Sequence, residues 1–112
     1  MAFAAWTKGS AALLLAIRAL ARGEGVEDAL LAQWERTNPE LAVLSEGAAL
    51  RTAPKAWRFV GEMDEIASTF AAADLPEGFH RAAAEVYARL SDLKDAAPDA
   101  ATLDAVLARL RR

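Results

Sequence analysis

Cysteine is absent from the 112 residues, which excludes disulfide frameworks, thiolate zinc sites and cysteine nucleophiles together and suits a reducing, cytoplasmic setting. A basic surplus is missing too: 13 Lys and Arg stand against 16 Asp and Glu, for a formal net charge of −3. Nucleic acids and anionic membranes are therefore not expected partners. Long apolar runs are lacking. The longest near the N-terminus, Ala11 to Ile17, is bounded by Lys8-Gly9-Ser10 and Arg18, whereas a membrane span needs roughly eighteen nearly uninterrupted apolar residues. Strand signals are missing as well, since no stretch alternates or concentrates Val, Ile and Thr. General disorder is excluded by the 54% of hydrophobic residues. The length allows one domain with its own core, but not a nucleotide-binding domain plus a substrate domain.

What is present begins with MAFAAWTKGSAALLLAIRALAR, which holds three cations and no acid. A secretory signal places its charge ahead of the apolar stretch, but here Lys8 and Arg18 bracket it. A mitochondrial presequence shares the acid-free basic character, yet it needs an Arg- and Ser-rich face, and Ser10 is the only serine of the segment. The remaining reading is a helix that is apolar nearly all round, predicting a core helix enclosed by others with Ala11 to Ile17 buried. At about 100° per residue, Thr7, Ser10 and Arg18 fall near one stripe with Leu14 between them. That edge either meets solvent through snorkelling side chains or lines a ligand cleft or subunit interface.

The rest of the chain keeps a helical period and predicts an all-α fold of about five to six helices. Arg22-Gly23-Glu24-Gly25 reads as a C-cap and turn, and Val26 to Thr37 as the second helix. Asn38-Pro39-Glu40 predicts a new start, with Asn38 as N-cap and Pro39 in the first helical position. The third helix reaches about Arg51. Thr52-Ala53-Pro54 repeats the start signal before an amphipathic helix with Phe59, Val60, Met63, Ile66 and Phe70 on its apolar stripe. Asp74-Leu75-Pro76 is the next break, followed by a helix with Phe79, Ala82, Ala83, Val86, Tyr87 and Leu90 on one face. A connector at Ala96-Ala97-Pro98-Asp99 leads to a last helix around Leu103 to Leu110.

Chemical motifs are few. Gly23-Glu24-Gly25 lacks the third glycine and the preceding strand of a dinucleotide loop, so it reads as a helix cap. Glu77-Gly78-Phe79-His80 has Glu-x-x-His spacing, but a carboxylate-bridged metal site needs a second such pair. With a single histidine in the chain, no metal site is expected, and His80 is placed on the exposed flank of the fifth helix. Arg58 and Glu62 are spaced as a surface i, i+4 ion pair. No serine, lysine or carboxylate has a recognisable activating partner, so no self-sufficient active site is expected.

Phe3-Ala4-Ala5-Trp6-Thr7-Lys8-Gly9-Ser10-Ala11-Ala12-Leu13 and Ala53-Pro54-Lys55-Ala56-Trp57-Arg58-Phe59-Val60-Gly61-Glu62-Met63 resemble the C-terminal helical domain of bacterial NAD(P)-dependent dehydrogenases related to 6-phosphogluconate and β-hydroxyacid dehydrogenases, a DUF1932-like domain. The likeness runs over residues 1–94, with 95–112 as a C-terminal connector and helix. It implies a helical substrate-binding and dimerisation domain, with NAD or NADP held by a separate Rossmann domain in cis or in trans and not by this chain alone. The family's catalytic lysine precedes the stretch matching Phe3 to Leu13, so its position falls ahead of Met1, and Lys8 is a different residue. Carried over position by position, the cleft candidates are Trp6, Thr7, Lys8, Trp57, Arg58 and Glu62. The alternative is a free-standing helical homodimeric interaction module without catalysis.

Overall fold

The computed structural model describes all 112 residues, Met1 to Arg112. The fold is all-α: α1 (Ala2–Gly23), α2 (Glu27–Thr37), α3 (Glu40–Thr52), α4 (Ala56–Ala72), α5 (Gly78–Ala88) and α6 (Leu103–Leu110), with 3-10 turns at Ala53–Lys55 and Ser91–Leu93. Glycine and proline set most of the boundaries. At the end of α1, Gly25 takes φ +72°. Its N–H donates to the Arg22 carbonyl at 3.2 Å and that of Val26 to the Ala21 carbonyl at 2.9 Å. These are the paired bonds of a Schellman cap, so Gly23-Glu24-Gly25 is a helix terminator. The end of α4 repeats the device with Asp74 at φ +61° and the Leu75 N–H on the Phe70 carbonyl at 2.9 Å.

Two expected starts differ from the structure. Helix α3 begins after Pro39 without a side-chain cap from Asn38. Thr52 does not open a new helix either: its hydroxyl donates back to the Ala48 carbonyl at 2.7 Å, and the 3-10 turn carries the chain from α3 into α4.

The core is built on the inner face of α1, where Ala11, Ala12, Leu15 and Ala19 meet Phe59, Met63 and Ile66 of α4, Ala83 and Tyr87 of α5, and Val106 and Leu107 of α6. The small alanines bring the helix axes close and leave the larger residues to fill the gaps. Residues after position 94 enter this same cluster through Ala101, Val106, Leu107 and Leu110.

The expectation that α1 is enclosed on all sides is corrected. Ala11, Ala12 and Leu15 are buried, but Leu13 is 61% exposed, Phe3, Trp6 and Leu20 also stand out, and Leu14 and Ile17 are half-buried. The neighbouring helices cover the inner side only. Over its full 22 residues α1 is also long and apolar enough to cross a membrane by length and composition, which the short Ala11–Ile17 run understated. In this fold its inner face is committed to the protein core. Helix α5 is rotated from the expected face: His80, Ala83, Ala84 and Tyr87 are buried, whereas Phe79 and Ala82 face outward.

Candidate functional site

The three cations of α1 all turn inward. Lys8 Nζ donates to both Glu62 oxygens of α4 at 2.9 and 2.8 Å and lies 4.5 Å from the centre of the Phe59 ring. Phe59 meets Tyr87 edge to face at 5.4 Å. The Tyr87 hydroxyl donates to the Lys8 carbonyl at 2.5 Å. Burial pushes that phenol well above its ordinary titration range, so it remains protonated and donating. Lys8 is thereby fixed by its backbone and by its ammonium, at a partly exposed position.

Arg18 is 3% exposed. Its guanidinium donates to Ser45 Oγ of α3 at 2.8 Å and to Glu27 Oε2 of α2 at 2.9 Å. Arg22 joins the same carboxylate at 3.0 Å through both Oε1 and Oε2, and reaches Asp104 of α6 at 2.8 Å. The Arg22 hydrogen bonds, followed by those of Arg18, hold the Glu27 carboxyl below the usual carboxylate range. The stripe that sequence placed at a solvent edge or cleft thus ends, at Arg18, in a buried network.

With its charges on the inside, the outer side of α1 is left apolar. It lines a groove of about 910 Å³ flanked by Leu41, Leu44 and Arg51 of α3 and by Pro76, Phe79, Ala82 and Val86 from α5 and its approach. Phe3, just beyond these residues on α1, is 80% exposed, Trp6 73% and Phe79 76%. Arg51 is the only Lys, Arg, Asp or Glu among the lining residues.

A family model described as a domain of unknown function, DUF1932, matches residues 21–90. The chain belongs to this family. Such domains are found in the C-terminal part of NAD(P)-dependent dehydrogenases of the 6-phosphogluconate/β-hydroxyacid family. The match takes in α2 to α5, including the Ala53–Met63 stretch, while Phe3–Leu13 lies outside it. No curated protein and no solved structure matches the chain.

The six cleft candidates do not converge in this DUF1932 domain. Lys8 and Glu62 meet across 54 positions of sequence. Trp6 and Thr7 line the groove instead. Trp57 lies on α4 with the Lys94 ammonium 4.4 Å from its ring centre, and Arg58 is exposed. The expected Arg58–Glu62 pair is absent because Glu62 is taken by Lys8, which is held in place by Tyr87 and Phe59. Chemically, the Lys8–Glu62 cluster offers a positioned ion pair beside an aromatic face, suited to binding and orientation.

His80 is a further correction, since it is buried and not on an exposed flank. Its Nε2 donates to the Ala5 carbonyl at 3.0 Å, because a carbonyl can only accept, and its ring stacks on Phe70 at 5.0 Å. Nδ1 is buried without a partner. What admits the ring is Gly9, where an added Cβ would lie 2.9 Å from Nε2. No group of three or more His, Asp and Glu side chains is arranged to hold a metal ion.

Proposed function

We propose that this DUF1932 chain is the helical substrate-binding and dimerisation domain of an NAD(P)-dependent oxidoreductase of the 6-phosphogluconate/β-hydroxyacid dehydrogenase type, acting with a Rossmann domain supplied in cis or in trans. Family membership over α2 to α5 carries the reading. The open apolar side of α1 supports it, because a domain that works against another body keeps such a face uncovered when alone. Lys8 and Glu62 are the polar pair we assign to the cleft side, and a cytoplasmic location is part of the same proposal, consistent with the cysteine-free composition.

Nucleotide binding is assigned to the other domain, since a pyrophosphate is received at a glycine-rich turn between a strand and a helix and this fold consists of helices. Calorimetric titration of the chain with NAD and with NADP is expected to give no saturable site at micromolar concentrations. Added to a matching Rossmann domain that carries the linking helix with the family's lysine, the chain is expected to bring about substrate-dependent nicotinamide reduction. Saturable nucleotide binding by the chain alone would contradict the division of labour. A stable homodimer with no turnover in any such mixture would instead favour a free-standing interaction module, a reading that the apolar groove also supports.

A further inference from the structure

Arg36, Arg51, Lys55, Arg58, Lys94 and Arg111 are the cations with no carboxylate at ion-pair distance, every other Lys and Arg being paired. All but Arg36 and Arg111 stand around the junction of α3 and α4. Between Glu46 and Glu62 the chain has no acid, and Glu62 itself is held by Lys8. The first turn of α4 is also free of acids, so the positive end of its dipole adds to the same sign. Arg51 is drawn away from this surface, since it folds over Gly47 and lines the groove along α1. Lys55, Arg58 and Lys94 remain, all exposed.

Lys94 is brought to the other two by the backbone. In the turn after Ser91–Leu93, Asp95 takes φ +56°, a conformation that aspartate tolerates better than most residues, and its N–H donates to the Pro54 carbonyl at 3.0 Å. That bond ties the turn to the neighbour of Lys55 and sets the Lys94 ammonium 4.4 Å from the centre of the Trp57 ring. Asp92, earlier in the same turn, is already bound by Arg109 at 3.0 Å. Three free cations and a single free carboxylate, that of Asp95, thus surround a tryptophan that is 41% exposed.

We infer that Lys55, Trp57, Arg58 and Lys94 form a docking surface for an acidic face of a partner protein, and that this partner is the Rossmann domain of the proposed function, on which the inference rests. Neither the groove along α1 nor the crevice between α1, α5 and α6 is lined by any of the four, whereas small ligands are taken up in concave sites. Tryptophan and arginine are the residue types that anchor protein interfaces. The surrounding charges then select the partner and speed its approach. In a chain with net charge −3, a local surplus of the opposite sign also orients docking, because an acidic body is repelled by the rest of the molecule and drawn to this face. Arg58 lies one turn ahead of Glu62 on α4, so a body seated here borders the Lys8–Glu62 pair.

The test mixes the chain with the Rossmann domain described above and follows association by stopped flow and calorimetry at about 50 and about 300 mM sodium chloride. Binding is expected to weaken about tenfold or more at the higher salt. Lys55→Glu, Arg58→Glu and Lys94→Glu each weaken it by about tenfold, chiefly through slower association, and flatten the salt dependence, while Lys94→Gln loses less than Lys94→Glu. Arg36→Glu makes the same charge change at a free cation of α2 and leaves the affinity within about twofold. All four positions are exposed, and circular dichroism checks that helicity is kept. Charge reversals that leave a formed complex unchanged would place the interface elsewhere, overturning the inference and leaving the proposed function intact. An equal loss in Arg36→Glu would reduce the effect to net charge and overturn it as well. Separation of the domains by inorganic pyrophosphate, at an ionic strength where sodium chloride leaves them joined, would make the surface a phosphate site with the same consequence. A lack of both association and turnover would overturn the inference and the proposed function together.

Discussion

Glu27 sits in an unusual position for a residue of a helix's first turn, because it accepts from two arginines of the preceding helix at once. One of them, Arg18, has almost no contact with water. A buried guanidinium without a counter-charge is costly, so the carboxylate is needed less for what it adds than for what its absence would leave behind. Glu27→Gln is expected to lower stability by about 2 kcal/mol at neutral pH, since Ser45 still accepts one hydrogen bond from Arg18. The pH dependence has a definite sign. Arg22 and then Arg18 depress the Glu27 value in the folded state, so this stabilisation is present above the unfolded carboxyl value near about 4.3 and is lost as pH falls through the lower folded value. Urea unfolding of the two proteins from neutral to acid pH is expected to show a gap that narrows below about pH 4. A constant gap across that window would mean that the charge of Glu27 is not what holds Arg18.

At the scale of elements, the approach of α5 to α1 depends on a missing side chain. In an exposed helix interior, Gly→Ala is favourable by up to about 1 kcal/mol, and Gly61 of α4, where a Cβ meets nothing within 4 Å, is expected to show that gain. At Gly9 the same change drives a methyl group into the His80 ring, which Phe70 and the Ala5 carbonyl hold in place. Overpacking of this kind costs about 1 to 3 kcal/mol. Thermal unfolding followed by circular dichroism should therefore move down for Gly9→Ala and up for Gly61→Ala, and a rise for both would show that His80 yields freely. The helices themselves could be read from the chain because their ends carry local signals: Gly25 at the end of α1, Pro39 ahead of α3 and Pro76 ahead of α5. Partners could not. Lys8 and Glu62 are 54 residues apart and Arg18 and Ser45 are 27 apart, so no periodicity within one helix reports either pair. The burial of His80 escapes the sequence for the same reason, since it follows from a glycine on another helix. Of the candidate site, one pair and two groove residues were assembled by the fold, and the others lie on a part of α4 that faces elsewhere.

For the whole molecule, the last helix decides whether there is one folding unit or a domain with an appendage. Val106 and Leu107 are fully buried and Leu110 nearly so, and burial of such side chains is worth about 1.5 to 3 kcal/mol each. Together they approach the total stability of a small domain, about 5 to 15 kcal/mol. A chain ending at Lys94 is expected to lose its cooperative urea transition and near-ultraviolet signal, whereas a sharp transition in that fragment would make residues 95–112 dispensable. The tryptophans, described above for their packing, divide the molecule in another way. Trp6 stands on the outer side of α1, Trp34 is buried in α2, and Trp57 is half out beneath the Lys94 ammonium. Indole fluorescence follows local polarity, so the native chain contains its own optical gauge of whether the outer side of α1 is covered. Covering it shifts the Trp6 emission to the blue and shields that ring from a dissolved quencher, while Trp34, already enclosed, supplies an internal standard in the same spectrum.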